Sequence, residues 1–87
     1  MPEFIVISHA KAKPEQIAIH RESHARYIDS LRQRGILGLA GKFKDGKGGV
    51  YFLLLDSEAD ALRIASEDPY HSSGVREFVL KEWEKKG

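Results

Sequence analysis

The sequence contains no cysteine, which excludes a disulfide framework and any thiolate-held metal site. It also lacks an excess of charge of either sign: Lys plus Arg number 14 and Asp plus Glu 13, for a formal net charge of +1. A chain so balanced carries no electrostatic signature for nucleic acid or for an anionic membrane surface, and neither partner is expected. No run approaches the roughly 20 apolar residues of a membrane-spanning helix. The first residues, Met1 to His9, have neither the basic start nor the long apolar stretch of a secretion signal, so the expected location is the cytoplasm. What is present is an ordinary globular composition, 41% hydrophobic and 31% charged over 87 residues. A chain of that size supports one small core, hence one domain over residues 1–87.

Hydrophobic pattern and turn residues divide the chain into six elements. Phe4 to Ser8 is short, β-branched and aromatic, and reads as a strand with apolar residues on both faces. Pro14 and Glu15 suit a helix start, and the spacing predicts a helix from about Pro14 to Arg34, closed by Gly35. Ile36 to Phe43 reads as a strand in which Gly38 and Gly41 mark a bulge or a close neighbour. No helix start follows these glycines, so they do not form a phosphate loop. Asp45-Gly46-Lys47-Gly48-Gly49 is a strong turn signal, and Val50 to Leu55 completes a hairpin. A second helix begins around Asp56-Ser57-Glu58 and stops at Pro69. After a loop containing Gly74, Val75 to Trp83 has strand composition, and Glu84 to Gly87 is a polar tail. The order strand, helix, strand, strand, helix, strand is that of an α+β, ferredoxin-like βαββαβ fold with a four-stranded antiparallel sheet.

In that fold both helices cover one face of the sheet. The first and third strands nevertheless carry apolar residues on both faces, so the open face would exceed the few hundred Å² of apolar surface that a monomer tolerates. The expected partner is a second copy packed sheet to sheet, with higher assemblies also compatible.

One stretch of the first helix breaks the apolar pattern. Ile17, His20, His24, Ile28 and Leu31 recur at helical spacing, so two imidazoles lie in the stripe that faces the core. Further along, Glu67 and Asp68 sit at the carboxyl end of the second helix, where the dipole disfavours acids, and Asp68 is pushed out of helical dihedrals by Pro69. Because both helices lie on one side of the sheet, Asp68 can reach His24. A carboxylate that orients an imidazole selects its tautomer and suits it to general acid/base work near neutral pH; the same pair can equally be a clasp between helices. His20 and His24, at i and i+4, also match a metal-ligand spacing, but the supporting ligands of a zincin pattern are missing, and no metal is expected. Tyr27, near His24 on the helix, and His71, in the loop after Asp68, are candidate ligand contacts.

The segments Arg21-Glu22-Ser23-His24, Gly35-Ile36-Leu37 with Gly41, Asp68-Pro69-Tyr70 with Gly74-Val75, and the closing Trp83 resemble the YciI-like (YCII-related) family over essentially the whole chain. The resemblance implies a ferredoxin-like fold of the dimeric α+β barrel group and an active site built on a His–Asp pair, here His24 and Asp68. A related enzyme is a dehydrochlorinase acting on a chlorinated hydroxyquinol, and more distant barrel relatives include muconolactone isomerase. Where many members carry a proline after the glycine of the second strand, this chain has Lys42, which alters the expected pocket rim. The expectation is a cofactor-independent lyase or isomerase for a small hydroxylated or acidic compound, with His24 as acid/base and Asp68 orienting it. A non-catalytic ligand-binding or accessory dimeric domain and a structural dimer with a His24–Asp68 clasp are the alternatives.

Overall fold

Strand β1 (Glu3–Ala10) lies between β3 (Gly48–Leu54) and β4 (Arg76–Trp83), antiparallel to both, while β2 (Leu37–Lys42) pairs with the other side of β3. The sheet order β2-β3-β1-β4 is the ferredoxin-like arrangement expected from the element order. This computed structural model describes residues 2–86; Met1 and Gly87, the last residue of the expected polar tail, lie outside the described residues.

Alternation along the strands sorts residues onto two faces. Phe4 and Val6 of β1 and Tyr51 and Leu53 of β3 point to the helices and are buried, together with Leu31, Ala61 and Ile64 from the helical layer. Fully burying a side chain such as Phe4 or Leu53 stabilises the fold by about 1.5–3 kcal/mol relative to leaving it in water. The opposite face carries Ile5, Ile7, Val50, Phe52 and Trp83, with no helix over them.

The hairpin forms as its residues dictate. Gly46 takes a positive φ of 75°, the Asp45 carboxylate accepts from Lys47 N–H at 2.8 Å, and Phe43 N–H donates to Gly48 O at 2.9 Å. The expected irregularity in β2 is present as a register shift between Leu37 and Ala40, and a Cβ on Gly38 would come within 3.2 Å of Phe52 and Leu54.

The helical layer differs from the sequence expectation in two places. The first helix is not continuous from Pro14 to Arg34: α1 (Pro14–Ala18) and α2 (Arg21–Gln33) are separated by a turn at Ile19 and His20. Ile17 and Ile19 are β-branched and weak helix formers. Ser23 Oγ also donates to His20 O at 3.1 Å, supplying a side-chain partner at the start of α2. The far end behaves as expected. Gly35, at φ 74°, donates to Arg32 O, and Ile36 N–H donates to Leu31 O, the two bonds of a Schellman cap.

The second difference concerns Pro69. Helix α3 (Glu58–Glu67), capped by Ser57 Oγ accepting from Asp60 N–H at 3.1 Å, ends before Pro69, but the proline then opens a further short helix, α4 (Pro69–Ser72). Asp68, at ψ 126°, is held extended by the following proline and becomes the N-cap of α4, with its carboxylate accepting from Tyr70 N–H at 2.9 Å. The acid thus closes α3 and at the same time caps α4, where its carboxylate has a backbone donor. His71 consequently sits in α4 and not in a loop. Among the described residues, no helix is long and apolar enough to cross a membrane.

Candidate functional site

Three elements converge on Asp68. From α2, His24 Nδ1–H donates to Asp68 Oδ1 at 2.8 Å; from β3, Tyr51 O–H donates to Oδ2 at 3.0 Å; and Tyr70 N–H of α4 shares Oδ1. Asp68 is 0% exposed, so its charge is stable there only because these donors replace water. Burial pushes the carboxyl pKa up, but the hydrogen bond and charge of His24 and the Tyr70 N–H outweigh it and hold Asp68 below the usual carboxylate range. Tyr51 moves the other way: burial, then the Asp68 charge and hydrogen bond, raise its phenol far above the ordinary value.

This arrangement sets the orientation of His24. With Nδ1–H committed to a carboxylate, the neutral imidazole presents its Nε2 lone pair, which makes no hydrogen bond among the described residues. The ring stacks on Tyr70 with centroids 4.1 Å apart and planes 21° apart, which fixes its tilt, and the side chain remains 22% exposed. It faces a cleft of about 1130 Å³, whose lining it shares with Ser8, Tyr51, Tyr70 and Arg76. A group so oriented, mostly covered and bordered by a cavity, can accept or deliver a proton to a small molecule.

The cleft lies at one end of the helix-covered face of the sheet. Along β1 that face reads Phe4, Val6, Ser8, and along β4 it reads Leu80, Phe78, Arg76, so the apolar rows end in polar residues on the same side. Gly49 sits opposite Ser8 on β3, where a Cβ would strike Gly41 O, so the backbones are close there.

His71 occupies a second, adjoining network. Its Nδ1–H donates to Ala65 O at 2.7 Å, which leaves Nε2 to accept from Ser8 O–H at 2.8 Å. Burial lowers the His71 pKa, and this outweighs the bond to Ala65 and the Asp68 charge, so the ring is neutral at pH 7. Both ring nitrogens are thus used within the protein, and the cleft is met by Ser8, which His71 holds. Tyr27 is elsewhere: its hydroxyl donates to Ile64 O at 2.8 Å, tying α2 to α3, and it is absent from the cleft lining. The expected ligand contact at Tyr27 is replaced by a helix-to-helix bond.

His20 stands one turn before His24, whose N–H donates to its carbonyl at 2.9 Å, but it does not line the cleft that His24 faces. His20 is the N-cap of α2, outside the helix that carries His24. Among the described residues no group of three or more His, Asp or Glu side chains comes together to hold a metal.

Ser8, Tyr51 and Arg76 join the site without having stood out in the sequence. A signal exists for the first two, since each is a hydroxyl residue in a strand register otherwise filled by Phe, Val and Leu. Arg76 has none, standing at a strand end where a solvated cation is the ordinary reading. Lys42 also lines the cleft.

The fold recurs in solved structures. 5-Chloro-2-hydroxyhydroquinone dehydrochlorinase (TftG) from Burkholderia phenoliruptrix AC1100, in complex with 2,5-dihydroxybenzoquinone, superposes with a TM-score of 0.76 over 97% of this chain and 95% of that one, at 14% identity. An antibiotic biosynthesis monooxygenase superposes with a TM-score of 0.63 over 100% of both chains, at 17% identity. At such identities the likeness concerns the fold alone, an α+β fold with a four-stranded antiparallel sheet. In sequence, the uncharacterised protein YjpA of Bacillus subtilis (strain 168) is 36% identical over 67 residues, covering 77% of this chain and 79% of YjpA. The model of the YCII-related domain matches residues 1–84, and the chain belongs to that family.

Proposed function

We propose that this protein is a small-molecule enzyme of lyase or isomerase type in which His24 is the general acid/base and Asp68 orients it. The observation that carries the reading is the 2.8 Å bond from His24 Nδ1–H to a fully buried carboxylate, with Nε2 left without a partner among the described residues, beside a cleft. The base takes a proton from the substrate at Nε2, and the resulting imidazolium is stabilised by Asp68 until the proton returns to the product or to a leaving group. The dehydrochlorinase with the same fold, bound to a dihydroxybenzoquinone, supports a small hydroxylated compound as the substrate class.

The complete burial of Asp68 under three donors also favours the clasp reading, in which the pair holds α2 against α4 and β3. A thermal-shift screen of hydroxylated aromatics and small organic acids, followed by turnover assays on whatever binds, finds the substrate. His24→Ala is then expected to lower turnover about 10²–10⁴-fold, the usual worth of general acid/base catalysis, while the variant stays folded. Undiminished turnover removes His24 from the chemistry. Binding without product in the unsubstituted protein favours the accessory-domain alternative.

For the assembly we infer a homodimer through the open sheet face. Val79 and Trp83 are 47% and 40% exposed there, beside Ile5, Ile7 and Phe52. A stable interface takes about 800 Å² per partner, which one apolar sheet face can supply.

A further inference from the structure

The cleft beside His24 is bordered by cations and, among the described residues, by no carboxylate. Lys11, Arg21, Lys42, Lys47 and Arg76 all contribute to its lining, and neither Asp nor Glu does. The chain as a whole is nearly neutral at +1, so this asymmetry arises from placement. Acids and cations pair on the outer faces of the helices instead, Glu22 with Arg26, Asp29 with Arg32, and Asp60 and Glu67 with Arg63. Of the cleft cations only Lys11 makes a described ion pair, with Glu77 at 3.9 Å, and both side chains are solvent-exposed. A concave surface of one sign focuses its field on whatever enters.

Arg76 is the informative member. It stands on the helix-covered face of β4, opposite Ala10, with its guanidinium carbon 4.2 Å from the centroid of the Tyr70 ring. Its Nε is buried and has no hydrogen-bond partner, and no described carboxylate forms an ion pair with it. Buried polar groups are normally matched, and a guanidinium is matched best by a planar anion that takes two parallel N–H bonds. Stacking on Tyr70 restrains the guanidinium and so prepares it for such a partner. The same Tyr70 ring carries His24 on a stack, which places the cation and the acid/base within the length of one small molecule.

We propose that the cleft takes a small organic carboxylate, whose anionic group pairs with Arg76 while the reacting part of the molecule meets His24 Nε2. The inference rests on the cleft being the functional site proposed above, but it concerns recognition and does not require turnover. Arg76 supplies the binding contact, and Arg21, Lys42 and Lys47 raise the local concentration of anions at the entrance.

Matched acid and amide pairs test this, namely benzoate against benzamide and 4-hydroxybenzoate against 4-hydroxybenzamide, titrated into the full chain and followed by NMR of the Tyr70 amide and the His24 ring. For at least one pair the acid is expected to bind about tenfold or more tightly than its amide, with the preference falling as salt rises. Arg76→Gln removes the preference and leaves amide binding in place; Arg76→Lys retains part of it. Should Arg76→Gln fail to fold, the salt dependence and Arg76→Lys still decide the matter. Amides that bind as well as their acids, or a preference that survives in Arg76→Gln, overturn the proposal. His24→Ala keeps the acid preference while lowering turnover, so a failure of the catalytic reading and a failure of this one are seen separately.

Discussion

Replacing Asp68 by Asn changes charge without changing shape, so its effect can be worked out bond by bond. The Asn carbonyl oxygen can take the place of Oδ1, accepting from His24 and Tyr70, while its amide nitrogen faces Tyr51, whose hydroxyl turns to accept. Each bond loses its charge assistance, worth about 1 kcal/mol per bond, and the Tyr51 O–H gives up its acceptor when the hydroxyl turns. Against this, removing a buried charge removes a desolvation cost. The carboxyl is held below its ordinary value, so the fold prefers the charged form, and the neutral amide is expected to destabilise it. The expected net loss is about 1–2 kcal/mol at pH 7, or roughly 5–15 °C in Tm for a domain of this size. A carboxylate with a depressed pKa contributes stability above the unfolded value, about 3.9, and loses it as pH falls through the folded value. The gap between the parent protein and Asp68→Asn should therefore be complete at neutral pH and close below about pH 4. Asp68→Ala, which leaves Tyr51 O–H and Tyr70 N–H buried without acceptors, should cost more, about 3–5 kcal/mol. Urea unfolding at fixed protein concentration across pH 3–8 measures all three proteins. An Asn variant as stable as the parent at pH 7, or a gap that persists unchanged into acid, refutes the assignment of Asp68 as a charged acceptor.

His71 gives a second pH signature. Burial holds its folded pKa below that of an unfolded histidine, about 6.5, so as pH drops from there toward the folded value the unfolded chain takes up the proton first and stability falls, by at most about 1.4 kcal/mol per pH unit. His71→Gln should flatten that part of the profile, and parallel profiles for the two proteins would disprove it. On the open face, Ile7→Lys places a charge between Val50 and Val79 and should turn a dimer into a folded monomer, seen by light scattering with far-UV circular dichroism unchanged. A parent protein that is already monomeric at micromolar concentration sinks the assembly proposal.

The elements were legible in the sequence because their signals are local. Gly35 ends α2, Asp45-Gly46 turns the hairpin, Ser57 caps α3, and each does so through bonds to residues within a few positions. The break at His20 and the helix after Pro69 were not legible. Both depend on whether a short segment continues or restarts, and a proline stops one helix by the same fixed φ that starts another. That ambiguity matters because the site is built on it: Asp68 is a buried acceptor because it ends α3 and caps α4 in one residue.

The remaining site residues depend on strand pairing. Ser8, Tyr51 and Arg76 are far apart in the chain, and register alone brings them to one end of the helix-covered face, with Val6 opposite Tyr51, Ser8 opposite Phe78 and Ala10 opposite Arg76. Phe4, Leu53 and Leu80 make the other end of the same face apolar. Read one strand at a time, a serine after Phe4-Ile5-Val6-Ile7 marks only the end of a strand, and an arginine before Glu77 only a solvated start. Read across the pairing, they are a polar patch under the helical layer, and burying it requires partners: His71 for Ser8, Asp68 for Tyr51, and for Arg76 the ring of Tyr70. An aromatic face answers part of a guanidinium's charge but none of its N–H groups. Arg76 is therefore the member of this patch that the described chain leaves incomplete, and an anion bound there would finish the same set of pairings that the strand register begins.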